Sequence, residues 1–412
     1  MMIVGAVESG DQQLFACCGN HRGSKTKMQS VSVDEDSDVK EWLKKGERDQ
    51  SAPYAVLSSV DASKPAKLGI GDELALSIYR TMLLCRVLDA KILSLQRQGR
   101  LGAYIASTGE EGAIVGSAYA LKSSDWLFTS YRELGAHLVR KLSVDLILAQ
   151  LYGNSSDLLK GRQMSNSWGS RDLNTVPTAA PIGAYLPLAV GASLAAKIKG
   201  DGIAVLTYLG DGGTSSSDFH AAMNFAGVYR TPTVFICRNN GWAISVPVTR
   251  QTASKTLAIK ASAYGFEGLR IDGNDALASY AATRYALNKA RSGGGSTFIE
   301  ALTYRIGPHS TADDPKRYRS EEELKNWSAR DPVQLLKGYL LARKAWDEES
   351  EKALVKAYEE LISSAVQRQE SMRPLSADRL FMEDVYAKMP WHLKEQMEEL
   401  REYLADEERS SA

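Results

Sequence analysis

From Gly71 to Arg100, apolar residues recur at helical spacing through Leu74, Ile78, Met82, Leu83 and Val87, which predicts one long helix. Thr108 with the segment GEEGAIVGSAYAL (109–121) reads as a second helix start. Residues 143–160 read as helical, and 181–199 as an Ala-rich helix suited to close packing. Two short continuous apolar runs, Ile203–Leu209 and Thr233–Cys237, read as strands buried on both faces. Between them, Phe219, Ala222, Met223 and Ala226 mark a helix over Asp218–Tyr229, with Ser217 or Asp218 as its N-cap. A strand–helix–strand unit implies parallel pairing. The alternation continues through strand Gly268–Asp272, helix 275–291, a turn at Ser292–Ser296 and strand Thr297–Thr303. The expected fold is therefore α/β, a largely parallel sheet flanked by helices with a helical C-terminal tail. The expected organisation is a polar extension over 1–65, partly disordered or draped on a partner, an α/β domain over 66–331 and a helical region over 332–412.

Composition narrows the class. With 44% hydrophobic residues the chain can bury a large core, so disorder of the whole is excluded. Lys+Arg 50 balances Asp+Glu 50, which argues against nucleic acid as the main ligand, because phosphate backbones want a positive surplus. No run approaches the roughly 18–20 apolar residues of a membrane helix, so no membrane partner is expected. The opening MMIVGAVESGDQQ has no basic region before its apolar stretch, and no Arg-rich transit segment is visible. Cys17, Cys18, Cys85 and Cys237 form no CxxC pair, so reduced surroundings are the default. A cytoplasmic location is expected, with the mitochondrial matrix as the alternative.

The chemistry concentrates in LGDGGTSSSDFHAAMNFAGVYRTPTVFICRNNGWAIS (209–245). Asp211 stands between glycines directly after a buried strand, at the carboxyl edge where ligands of parallel sheets bind. Gly210, Gly212 and Gly213 let the backbone turn and approach an anion closely. Asn239–Asn240–Gly241 follows the next strand, so both strand ends deliver an oxygen, the Asp211 carboxylate and the Asn240 amide, to one crevice. A hard cation that holds phosphate oxygens uses such ligands. Either motif alone would pass as a turn. Together, GDG and NN with residues 213–238 between them have the spacing of a thiamine-diphosphate signature.

With QRQGR (96–100), GEEG (109–112), SYRE (130–133), KGRQM (160–164), CRNNGWAIS (237–245) and EALTYRIGPHSTADDPKRYR (300–319), the chain from about 71 to 400 resembles the alpha subunits of thiamine-dependent 2-oxoacid dehydrogenases. The likeness is to the branched-chain decarboxylase components in particular. It implies thiamine diphosphate and Mg²⁺ as cofactors and the thiamine-diphosphate-binding fold. Tyr131, Arg132 and Arg238 would touch the diphosphate, where Arg offers fork donors and Tyr a hydroxyl. Asp211, Asn240 and the Trp242 backbone carbonyl would hold the cation, and amides near Gly212 and Gly213 would meet the diphosphate. The Ala180–Ile182 stretch would lie beside the aminopyrimidine. His309 would be the active-site histidine, and Ser310 after it sits in a loop that relatives phosphorylate. The implied partners are a beta subunit, in a tetramer of two alpha and two beta chains, and a lipoyl-bearing acyltransferase. The beta subunit would supply the glutamate for the aminopyrimidine. The implied reaction is decarboxylation of a small-molecule, branched-chain 2-oxoacid such as 3-methyl-2-oxobutanoate, with acyl transfer to the lipoyl arm. A pyruvate or acetoin dehydrogenase alpha subunit is the alternative.

The chain departs from the family pattern at several positions. Ala179, Ala184 and Tyr185 stand where eukaryotic relatives carry K⁺-binding side chains, so that ion site is expected to be absent. Ser167 or Trp168 falls near the place of a His in many relatives, and Ser216 replaces a Glu. A nicotinamide dehydrogenase, the rival of another class, needs a GxGxxG turn after a strand. GIGDEL (69–74) lacks the third Gly and opens a helix.

Overall fold

The structure, a computed structural model, describes residues 35–46, 52–57, 63–178, 181–382 and 386–411. Its elements begin with helices α1 (Ser37–Gly46), α2 (Asp72–Arg97) and α3 (Glu111–Ala118), then strand β1 (Trp126–Phe128). Helices α4 (Leu134–Val139) and α5 (Val144–Tyr152) precede β2 (Thr175–Val176), α6 (Tyr185–Lys199), β3 (Val205–Gly210), α7 (Ser217–Tyr229) and β4 (Thr233–Asn239). β5 (Glu267–Asp272), α8 (Ala276–Arg291) and β6 (Thr297–Leu302) complete the sheet. Its order is β2-β1-β3-β4-β6-β5, and every pairing is parallel. Further helices follow, of which Glu321–Ser328, Glu348–Ser371 and Trp391–Ser411 matter below.

Both sheet faces are covered, as continuous apolar strands require. Leu206, Tyr208, Val234, Ile236, Ile299 and Ala301 join one core with α2, α3 and α8. Their strand neighbours Leu209, Phe235, Cys237 and Phe298 join a second core under α6 and α7. Successive residues of a strand point to opposite faces, so each strand feeds both cores.

Several boundaries differ from the sequence reading. The N-cap of α7 is Ser216, not Ser217 or Asp218. The Ser216 hydroxyl accepts from the Phe219 amide at 3.2 Å and donates to the Gly213 carbonyl at 2.9 Å. The helix expected over 143–160 ends at Tyr152, because Gly153 turns left-handed (φ 60°) and closes it. Part of the polar N-terminal stretch is packed. Val39, Tyr54 and Val56 are buried, and Tyr54 bridges in parallel to Ile271 at the β5 edge. Among the described residues, no helix is long and apolar enough to cross a membrane.

Candidate active site

The carboxyl ends of five strands converge on one cavity of about 430 Å³. β1 leads into Ser130, Tyr131 and Arg132, and β2 into Thr178 and Ile182. The β3 end supplies Gly210, Asp211, Gly212 and Gly213. β4 carries Arg238 and runs out into Asn240 and Trp242, while β6 leads to Arg305 and His309. This is the edge at which open parallel sheets bind ligands. Each site residue expected from sequence lines this cavity except Ala180, which lies outside the described residues. Ser167 and Tyr185, two of the departures, line it too, whereas Trp168 is buried and donates its indole N–H to the Ile147 carbonyl at 3.1 Å.

The glycines after β3 serve close approach. None of Gly210, Gly212 and Gly213 has positive φ, and Asp211–Ser215 forms a short 3₁₀ turn. A Cβ on Gly212 would stand 2.6 Å from the Ala243 Cβ, so the turn must lie flush against the loop after β4.

A buried charge network holds the two arginines. Arg238 is 2% exposed; its Nη1 meets Glu110 Oε2 at 2.5 Å, and its Nη2 meets Glu133 Oε1 at 2.5 Å and Ser130 Oγ at 2.9 Å. Burial opposes its charge, but Glu133 and Glu110 outweigh burial and keep it protonated. Arg132 Nε lies 3.4 Å from Glu110 Oε1, and its Nη1 donates to the Ala106 carbonyl. Asn240 Nδ2 donates to the same Glu110 Oε1 at 3.0 Å, while its Oδ1 accepts from the Trp242 amide at 3.1 Å. Burial pushes the Glu110 carboxyl up, yet Arg238 and Arg132 more than offset this and hold it below the ordinary range.

Asp211 is 1% exposed, and burial pushes its carboxyl up to about 6. Its Oδ2 accepts from Gln251 Nε2 at 2.8 Å. Trp242 is held at both ends: the indole N–H donates to Glu323 Oε1 at 2.9 Å, and the carbonyl accepts from Arg305 Nη1 at 3.3 Å.

His309 sits in the loop after β6. Asp313 Oδ2 accepts its backbone N–H at 2.7 Å and the Tyr318 hydroxyl at 2.5 Å. Burial first, then the Arg132 and Arg305 guanidiniums, depress its imidazole to about 4. Nδ1 faces Arg305 Nη1 at 3.4 Å and Arg132 Nη2 at 3.5 Å. Guanidinium groups only donate, so Nδ1 presents its lone pair and the proton resides on Nε2.

A scaffold of side chains went unnamed in the sequence reading: Glu110, Glu133, Gln251, Arg305 and Glu323. All but Gln251 and Glu323 fall inside blocks that carried the family likeness; nothing in the sequence signals those two. His220 stays out of the cavity, exposed on α7 with Nδ1 2.5 Å from the Tyr264 hydroxyl.

The sequence profile of the family described as "Dehydrogenase E1 component" matches residues 79–377. The chain belongs to the dehydrogenase E1 component family. It is 41% identical over 333 residues to a chimpanzee (Pan troglodytes) protein named 2-oxoisovalerate dehydrogenase subunit alpha, mitochondrial, covering 81% of this chain and 75% of that one. A Mycobacterium tuberculosis protein named 3-methyl-2-oxobutanoate dehydrogenase subunit alpha is 41% identical over 332 residues, 80% of this chain and 87% of its own. The Caenorhabditis elegans 2-oxoisovalerate dehydrogenase subunit alpha is 40% identical over 338 residues, 81% and 78% of the two chains. The matched span takes in all five strand ends that build the cavity of this E1 component.

Proposed function

We propose that this E1 component is the alpha subunit of a branched-chain 2-oxoacid dehydrogenase, acting on 3-methyl-2-oxobutanoate and its homologues with thiamine diphosphate and Mg²⁺. The observation that carries the reading is the convergence of Asp211, Asn240, Arg132 and Arg238 on one cavity at the sheet's carboxyl edge. The relatives' names supply the substrate class.

The donor set fits the cofactor pair. Asp211, Asn240 Oδ1 and the Trp242 carbonyl are all oxygens, the ligands a hard divalent cation takes, with phosphate and water oxygens completing the shell. Arg132, Arg238 and Tyr131 would receive the diphosphate. Thiamine diphosphate, when bound, supplies the electron sink that lets CO₂ leave a 2-oxoacid.

The chain's own contribution is orientation and proton placement. His309 lines the cavity with its proton on Nε2 and stays neutral through the physiological range, so it can hydrogen-bond a substrate oxygen without adding a fixed charge. Ile105, Met164, Ile182 and Ile244 give the cavity an apolar wall suited to a branched alkyl group. The partner is a beta subunit that completes the site, and a lipoyl-bearing acyltransferase accepts the acyl group. Exposed Leu188 on α6 and Phe225, Val228 and Tyr229 on α7 offer apolar surface for assembly.

Turnover of a 2-oxoacid panel by the chain co-purified with its beta subunit tests the reading. Preference for 3-methyl-2-oxobutanoate over pyruvate is the expected result. Preference for pyruvate, or full activity of the alpha chain alone, would overturn it.

A further inference from the structure

One carboxylate touches three of the groups assigned to the cofactor, yet is not among the residues that line the cavity. Glu110, fully buried, takes Arg238 Nη1 on Oε2, and Asn240 Nδ2 and Arg132 Nε on Oε1. We infer that Glu110 is the positioning residue of the cation and diphosphate cradle, an inference that rests on the function proposed above.

Asn240 carries two chemically opposite ends. A cation needs the oxygen, and an amide turned end for end would present an NH₂ group instead. A carboxylate beside the nitrogen end decides the matter, because it accepts hydrogen bonds and donates none. Glu110 thereby takes the nitrogen end and leaves Asn240 Oδ1, which accepts from the Trp242 amide, as the end free for a cation in the cavity that Asp211 also lines. The same carboxylate stands between Arg132 and Arg238, whose like charges would otherwise repel in a dry site. Both guanidiniums are therefore in place before an anion arrives, which reduces the ordering cost of binding.

The chain around Glu110 leaves it little freedom. Gly109 is left-handed (φ 98°), and a Cβ there would strike the Tyr304 carbonyl. Gly112 and Gly116 let α3 press against the start of α8: a Cβ on Gly112 would meet the Gly273 carbonyl at 2.7 Å, and one on Gly116 the Ala276 carbonyl. The glycines of the GEEG block thus lock the first turn of α3, with Glu110 as the residue before it.

The test uses the chain in complex with its beta subunit. Mg²⁺ is titrated at fixed thiamine diphosphate, following tryptophan fluorescence, and kcat and KM for the 2-oxoacid are measured at saturating cofactor. Glu110→Gln is expected to raise the Mg²⁺ needed for half-saturation by about tenfold or more, in line with losses of residues that orient metal ligands. KM for the 2-oxoacid should move little. The double variant Glu110→Gln with Asn240→Asp reverses the hydrogen bond, since the new amide can donate to the new carboxylate. It should recover most of the Mg²⁺ response. Should Glu110→Gln fail to assemble, Glu110→Asp keeps the charge but shortens the reach, and the same tenfold shift is expected. An unshifted titration in a folded variant, or a double variant no better than the single one, overturns the role of Glu110 alone. A wild-type complex without Mg²⁺-dependent cofactor uptake overturns the functional reading and this inference with it.

Discussion

His309 and Ser310 show how much of this site is electrostatic. Asp313 ties the His309 loop together, accepting from the His309 amide and the Tyr318 hydroxyl. A second negative charge at Ser310 would repel Asp313 and compete for Arg132 and Arg305. Ser310→Glu should therefore lower decarboxylation by about tenfold or more, with loosened protection of the 307–318 amides in hydrogen exchange. A fully active Ser310→Glu complex would contradict the argument. His137 makes a different residue-scale prediction. It is buried beside Thr129 and Trp168, and burial depresses its imidazole to about 3. The folded chain resists the proton that the unfolded chain takes up near its ordinary value of about 6.5. Stability is thus complete above about pH 6.5 and is lost as pH falls toward 3, and His309 adds to the same slope. From pH 7 to 5 the His137 contribution to that loss is on the order of 2 kcal/mol. Denaturant midpoints read at both pH values should show this slope, and it should flatten in His137→Phe.

At the scale of elements, Asp275 joins two pieces of the fold. Its Oδ1 caps α8 through the Leu277 and Ala278 amides at 3.1 and 2.9 Å. Its Oδ2 accepts from the Val56 and Leu57 amides at 2.6 and 2.5 Å. Tyr54, just before them, donates to the Arg270 carbonyl and accepts from the Asp272 amide, both at 2.9 Å. The N-terminal segment thereby covers the exposed edge of β5. Asp275→Asn would turn an NH₂ group toward amides that also donate. It should cost about 1–3 kcal/mol and speed hydrogen exchange at 54–57, and unchanged exchange there would refute the clasp. This segment was illegible in the sequence because its anchors, Val39, Tyr54 and Val56, follow no period and its backbone is tied to Arg270, Asp272 and Asp275, more than two hundred positions away. The strands were legible for the opposite reason. β3 and β4 carry short apolar runs buried on both faces, and their identity needs no knowledge of what covers them.

For the molecule as a whole, sequence motifs located the site to the extent that chemistry is local to a strand end. Asp211 and Asn240 announce themselves by following buried strands. Glu110 does not, since its importance lies in Arg238, 128 positions away, and in Asn240, 130 away. Only the parallel sheet, by bringing five carboxyl ends together, turns these separate residues into one cavity. The proposed function requires this cavity to hold thiamine diphosphate through a cation on Asp211. Calorimetric titration of thiamine diphosphate into the alpha–beta complex, with and without Mg²⁺, tests it for wild type and Asp211→Ala. Saturable, Mg²⁺-dependent binding is expected in the wild type, with a loss of about a hundredfold or more in Asp211→Ala and the thermal midpoint little changed. An Asp211→Ala complex that binds thiamine diphosphate with wild-type affinity would contradict it.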